Sequence, residues 1–438
     1  MDRRKFIRIS ALSTATTFVV NEVFSKVLIE NLDGENSSKK PRNILLRSGW
    51  QSENIGDIAH TPAMMALIQK YIPSATVTFW PWYNYLPTDE VEMIKKRFPN
   101  VKIVEGTYDK DGKASSSELQ EAINTTDFLL HNSGPGTIAW ENLDTFKKMT
   151  GKPFGVFGVT YGLWGTPETT TLSKAEFVYL RDSVSLQKVV AAGVKSPIIK
   201  FVPDAVFSID VTDDVKANQF LEDNNLEEGK FLCCIPHHRY TPVWLHKHKN
   251  KPFDAQKNTR NEQMKENDHH PLREAITAVI RNTEHKILIC NEDETEQIIG
   301  KEWLFDLLPE DVKPRVVFLN RHWLTDEAIS VYKKSAGLFG NEMHSPIMCI
   351  AFGIPAIVCR WEEQSSKGIM WQDIGLGEWL FDFDKTEDVN RFVPTVLTMA
   401  SQPKQAQAKA KTAMKLTKLL HKKAMKEFEL ISRPLDAI

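Results

Sequence analysis

The sequence predicts an α/β protein of two doubly wound layered domains that face one cleft. Three observations carry that expectation. Short apolar runs alternate with helical patterns from Asn43 onward, as in parallel βαβ units. The alternation breaks at a charged stretch, Asp213 to Lys230, and then resumes. A length of 438 residues with 42% apolar content is ample for two cores.

Residues 1–25 read as an address and are set apart from the fold. Arg3-Arg4-Lys5-Phe6-Ile7-Arg8 precedes a modestly apolar run, Ile9 to Val20, that Ser and Thr interrupt. This resembles a twin-arginine export signal and implies a periplasmic or otherwise exported protein. A frayed basic terminus, leaving the protein in the cytoplasm, is the alternative. The run is shorter and more polar than the ~20 apolar residues of a membrane span. Residues 26–42 read as a solvated linker.

The first domain is placed at 43–212. Its strands are expected at Asn43–Arg47, Thr76–Trp80, Val101–Glu105, Phe128–His131, Pro153–Gly158, Phe177–Leu180 and Ile198–Val202, with Met64, Leu67, Ile68 and Tyr71 at helical spacing after the first. Residues 213–230 read as helix plus linker. The second domain, 231–384, has expected strands at Phe231–Ile235, Lys286–Cys290, Val316–Leu319, Gly337–Gly340 and Ala356–Cys359, with helices at Pro271–Asn282 and Asp326–Lys334. A polar insert carrying His246, His248, His269 and His270 reads as a lid or surface loop, because its histidines lack any spacing that fixes a metal geometry. Residues 385–438 form a carboxy-terminal helical segment with a long Ala- and Lys-rich helix from Gln402 to Leu430.

Composition narrows the function. Lys and Arg total 55 against 57 Asp and Glu, which lacks the positive field of a nucleic-acid binder. The five cysteines sit mostly in apolar runs without metal spacing and read as buried thiols.

Ligands of open α/β sheets bind beyond the carboxyl ends of the strands, so the residues there are informative. Asn54-Ile55-Gly56-Asp57 follows the first strand. Gly56 permits a tight backbone, Asp57 caps a helix or orients an acceptor hydroxyl, and the helix start offers amides to an anion. His131-Asn132-Ser133-Gly134-Pro135-Gly136 is a second glycine loop, able to approach a ligand or simply to turn. Arg181 follows another strand and either holds an anion or pairs with Asp182 or a neighbour. His238 and Arg239, with Tyr240 and Trp244 beside them, could bind an anion or a sugar. His344 suits acid-base chemistry near neutral pH, and Lys367 either meets a phosphate or sugar or is solvated.

These segments resemble, in order, the blocks of the polysaccharide pyruvyl transferase family. Asn54-Ile55-Gly56-Asp57 is similar to its opening Asn-x-Gly-Asp element, and the loop with Ser133, Gly134 and Gly136 to its second element. Tyr179-Leu180-Arg181-Asp182-Ser183 with Ser185 and Gly193, then Val202-Pro203-Asp204, resembles the next two. His344, Ala351, Gly353, Ile354, Pro355 and Lys367 resembles the last. The resemblance spans about Ile44 to Phe383. It implies two Rossmann-like domains, similar to the GT-B glycosyltransferase architecture, and transfer of a pyruvyl group from phosphoenolpyruvate to a sugar of a cell-envelope or extracellular polysaccharide. In that scheme His344 and Asp57 are catalytic, Asn54, Gly56, Ser133, Gly134, Gly136, Arg181, His238, Arg239 and Lys367 bind substrate, and no metal or organic cofactor is required.

Two features depart from it. Glu342 stands where the family block has an arginine, two residues before the histidine. An exported protein would also meet a cytoplasmic donor only transiently. A sugar-nucleotide glycosyltransferase of the same architecture and a noncatalytic glycan-binding protein are therefore carried as alternatives.

Overall fold

The structure, a computed structural model, describes residues 42–83, 86–246 and 249–432. The export-type segment and the linker up to residue 41 lie outside the described residues. The first domain runs β1 (Arg42–Ser48), α1 (Ile55–Tyr71), β2 (Ala75–Pro81), α2 (Thr88–Arg97), β3 (Lys102–Ile103), α3 (Ser117–Thr125), β4 (Phe128–Asn132), α4 (Trp140–Thr150), β5 (Phe154–Val159), α5 (Thr166–Leu172), β6 (Phe177–Leu180), α6 (Ser183–Ala191) and β7 (Ile199–Phe201). All seven strands pair in parallel, in the order β3-β2-β1-β4-β5-β6-β7. Strands β4, β5 and β6 are buried along their whole length, as helices on both faces require, which is why they read as apolar runs, β4 up to His131.

The second domain repeats the plan with α7 (Asp214–Asp223), β8 (Phe231–Ile235), α8 (Ala255–Asn282), β9 (Lys286–Ile289), α9 (Glu296–Ile299), β10 (Val316–Phe318), α10 (Thr325–Lys334), β11 (Gly337–Gly340), α11 (His344–Ala351), β12 (Ala356–Arg360), α12 (Met370–Asp373), β13 (Leu380–Asp382) and α13 (Thr386–Ser401). Its parallel order is β10-β9-β8-β11-β12-β13. In both sheets the chain reverses direction beside the first strand, between β1 and β4 and between β8 and β11. Such switch points open a crevice beyond the strand ends.

The last helix, α14 (Pro403–Ile431), returns to the first domain. Phe428 is buried with its ring 5.1 Å from Phe128 and 5.3 Å from Phe177, His421 contacts the Pro203 carbonyl at 2.9 Å, and Tyr179 bonds Glu427. Phe428→Ala should therefore destabilise the protein by about 3–5 kcal/mol, the cost of emptying a buried aromatic site. Urea denaturation checks this; an unchanged midpoint would mean that α14 is not an integral part of the core.

Two expectations change. Residues 255–270, read as part of a lid or loop, form the first half of α8, which Asp254 caps through the Lys257 amide. Pro271 lies inside this helix rather than at its start, and the polar half escaped notice because its outward residues carry no apolar period. Strand β13 was not expected; three residues are too few to show a pattern. All five cysteines are buried free thiols. Among the described residues no helix is long and apolar enough to cross a membrane.

Candidate functional site

The switch points of the two sheets meet. Ile55 N–H donates to the Glu292 carbonyl at 2.9 Å, Glu294 N–H to the Glu53 carbonyl at 3.0 Å, and Thr325 Oγ1 to the Ile55 carbonyl at 2.8 Å. These bonds fasten the start of α1 to the loops after β9 and β10.

On the first domain's side, the Asn54 carboxamide accepts from the amides of Gly56 (2.8 Å) and Asp57 (3.1 Å). This corrects the idea of a helix start open to an anion, because the capping side chain already takes its amides. One turn along, His60 is fully buried, its Nδ1 3.7 Å from Asp57 Oδ1 and its Nε2 3.5 Å from Asp204 Oδ2. Neither ring nitrogen makes a hydrogen bond. Asp204 also accepts from Arg181 Nη1 at 2.9 Å and lies 3.4 Å from Ser133 Oγ, while Arg181 Nε donates to Thr160 Oγ1 at 2.9 Å. Burial pushes the Asp204 carboxyl up, but His60 and Arg181 outweigh it and hold it far below the usual carboxylate range.

From the second domain, His344 opens α11 with Nδ1 2.9 Å from Glu292 Oε1, and Ser345 N–H donates to Glu292 Oε2 at 2.5 Å. Burial pushes Glu292 up; His344 and Lys367 reverse that and keep it ionised. His344 is itself lowered, by burial and then Lys367, with Glu292 opposing. Its Nε2 has no partner. A methyl group at residue 56 would overlap the His344 Cβ, Cγ and Nδ1, so only glycine lets this ring lie against α1. The His60 and His344 rings meet edge to face, 4.9 Å between centroids. The centre is thus two imidazoles from two domains, each with a buried carboxylate behind it.

Next to them, His237 Nδ1 lies 2.8 Å from Glu296 Oε1 and 3.1 Å from Glu342 Oε1. Burial and neighbouring carboxylates push both glutamates well above their usual range. Lys367 acts electrostatically on Glu292, Glu342 and His344.

The structure therefore brings Asn54, Gly56, Asp57, Ser133, Arg181, His344 and Lys367 together around one junction. Arg181 is 1% exposed, and its charge is matched by Asp204. Arg239 is locked between Asp268, Glu363 and Asp384, so its charge too is already balanced. His238 packs edge-on against Trp303, and burial lowers it to about 3. Gly134 and Gly136 turn against the neighbouring loop, where the Gly134 carbonyl accepts from Thr160 N–H and a side chain at 136 would strike Leu163. Sequence reasoning missed His60 and Glu292. The first lies three residues after Asp57, on the same helix face; the second sits in Asn291-Glu292-Asp293-Glu294, directly after β9.

A family model described as polysaccharide pyruvyl transferase matches residues 54–363, well over half of the chain and every residue of the two dyads. The chain belongs to the polysaccharide pyruvyl transferase family. Among curated proteins none matches it. Similar solved structures include a glycosyltransferase from Rickettsia africae (TM-score 0.54, 12% identity, covering 90% of this chain and 99% of that one). Anabaena HepE in complex with UDP and glucose follows at TM-score 0.51 and 11% identity, covering 88% and 98%. A UDP-glucosyltransferase from Polygonum tinctorium gives 0.52 and 10%, covering 91% and 100%. At these identities the likeness shows the shared GT-B architecture of two Rossmann-like domains, so this pyruvyl transferase family member and those enzymes have the same fold.

One carboxylate near the junction tests its electrostatics. Glu90 of α2 accepts from Ser52 Oγ at 2.8 Å, is 1% exposed, and burial pushes it up to about 7. The folded state thus keeps a proton that the unfolded chain releases near its ordinary value, so stability falls as pH rises from about 4.5 toward 7 and stays lower above that. Glu90→Gln should remove the penalty and stabilise the protein at pH 8 by about 1–3 kcal/mol, each tenfold change in proton affinity being worth ~1.4 kcal/mol, with little effect near pH 4. Denaturant titrations at both pH values check it; equal effects at the two would sink it.

Proposed function

We propose that the protein transfers a pyruvyl group from phosphoenolpyruvate to two hydroxyls of a sugar in a cell-envelope or extracellular polysaccharide. The observation that carries this reading is the pair of imidazoles, His344 on Glu292 and His60 on Asp204, with rings 4.9 Å apart and unpartnered nitrogens. Ketal formation needs that pair. Two C–O bonds form at C2 of the enolpyruvate, its bond to the phosphate oxygen breaks, and C3 gains one proton. The two hydroxyls lose two protons, one going to C3 and the other leaving on inorganic phosphate. One imidazole takes a hydroxyl proton as base while the other, protonated, delivers one to carbon. His344 is assigned as the base, because burial and Lys367 keep it neutral. Glu292 and Asp204 fix the tautomers, and Lys367 faces the donor's negative charge. No step requires a metal or an organic cofactor.

The acceptor's place in the envelope agrees with the export-type start of the chain. Changing Arg3 and Arg4 to Lys should leave the protein in the cytoplasmic fraction, and an unaltered distribution would remove that argument.

Incubating the protein with phosphoenolpyruvate and envelope oligosaccharides should release phosphate and yield a new ketal methyl signal by NMR. Stabilisation and turnover with a UDP-sugar but not phosphoenolpyruvate would overturn the reading in favour of glycosyl transfer. Sugar binding with no donor response would reduce it to glycan binding.

A further inference from the structure

We propose that Asp57, His60 and His344 form a binding site for one divalent transition-metal ion, whose occupation blocks proton transfer at the two imidazoles. Each residue offers one ligand atom, and the three atoms lie within 4.8 Å of one another. His60 and His344 are buried, and His60 Nδ1, His60 Nε2 and His344 Nε2 have no hydrogen-bond partner. A buried polar atom without a partner costs about 1–3 kcal/mol, so His60 Nδ1 and His344 Nε2, one from each domain, call for a ligand, while His60 Nε2 faces Asp204.

The spacing fits an ion better than a hydrogen bond. Asp57 Oδ1 and His60 Nδ1 are 3.7 Å apart, too far for a proton to bridge. Two ligands each about 2.1 Å from a shared ion stand roughly 3–4 Å apart, so a contraction of about an ångström at the widest pair completes the site.

The surroundings fit as well. Histidines that bind metals usually donate the other ring N–H to a carboxylate, which turns the lone pair toward the ion. Here Glu292 stands 2.9 Å from His344 Nδ1 and Asp204 3.5 Å from His60 Nε2, while Gln51 bonds Asp57. Both carboxylates are held ionised and supply countercharge; Lys367 is the cation that works against binding. Two imidazoles and one carboxylate, with positions left open, suit zinc, cobalt or ferrous iron rather than magnesium or calcium, which prefer oxygen.

Only the blocking effect rests on the acid-base roles proposed above; the site itself does not. Chelator-treated full-length protein is titrated with cobalt and zinc chlorides, without donor or acceptor, and followed by calorimetry and the visible absorption of bound cobalt. One ion per chain is expected, with affinity reduced at least tenfold in Asp57→Asn and in His344→Gln and unchanged in His270→Gln, which alters an exposed histidine. Asp57 is partly exposed and Asn keeps its shape, so that variant tests the site without altering the buried imidazoles. Glu292→Gln, a positioning change, should weaken binding about 10–100-fold. No uptake, or the same affinity in Asp57→Asn as in the unaltered protein, overturns the site. Transfer that zinc inhibits and chelator restores supports the blocking; undiminished transfer at full occupancy overturns it.

Discussion

His344→Gln should lower the rate of pyruvyl transfer by about 10²–10⁴-fold, the range a positioned acid or base supplies. The amide of glutamine can still donate to Glu292, so the buried carboxylate keeps a partner and the fold survives, but no group remains that can take a proton. The effect should fall on kcat with KM nearly unchanged. The pH profile gives a second check. Burial and Lys367 hold the His344 imidazole below its usual 6.5, so the neutral base is present at pH 7 and the rate should fall only on acidification. Glu292 raises that value, and Glu292→Gln should therefore move the acid limb to still lower pH. Unaltered kcat in His344→Gln, or an acid limb that stays in place, would remove His344 from the chemistry.

Arg181→Met should cost about 3–5 kcal/mol at neutral pH, the loss that follows when one partner of a buried ion pair is removed. Asp204 is fully buried and would keep His60, 3.5 Å away, the Val206 amide and Ser133 Oγ, but would lose its guanidinium. The sign of the pH dependence follows from its depressed value. A carboxylate ionised more easily when folded stabilises the protein above its unfolded pKa of ~3.9, and that contribution disappears as pH falls through the folded value. Removing Arg181 raises the folded value, so the deficit should be largest near neutrality and shrink toward pH 4. Asp204→Asn added to Arg181→Met should recover part of it. Equal denaturation midpoints at pH 7 for the variant and the unaltered chain would show that the pair contributes nothing.

The fold was legible because the central strands of both sheets are covered on both faces. Segments such as Phe128–Leu130 and Phe231–Ile235 must be apolar throughout, and their positions in the sequence announce the sheet. What escaped lacks that signal: β13 is three residues long, and the first half of α8 is almost wholly polar. The site divides in the same way. His344, Asn54, Gly56 and Asp57 stand out by their place after strands, and their convergence follows from the topology. Glu292 was invisible because a run of acidic residues in a loop looks the same whether it is solvated or folded inward against another domain. Arg181 stands out as an anion holder, but a sequence cannot tell a free guanidinium from one matched by Asp204, twenty-three residues away. The Asn54 amide, likewise, reads as a ligand contact until its distance to the Gly56 and Asp57 amides is known.

The return of α14 to the first sheet puts Arg42 at the threshold of β1 beside Glu429, whose carbonyl its guanidinium reaches at 2.7 Å. Both ends of the described body thus emerge at one place, by the amino ends of the strands, while the dyads lie past the carboxyl ends, a full strand length away. A support attached at residue 42 or 432 holds the described body by its heel with the dyads turned outward. By the same token, a short linker joining residue 432 to 42 should permit new termini elsewhere on the surface without disturbing the dyads.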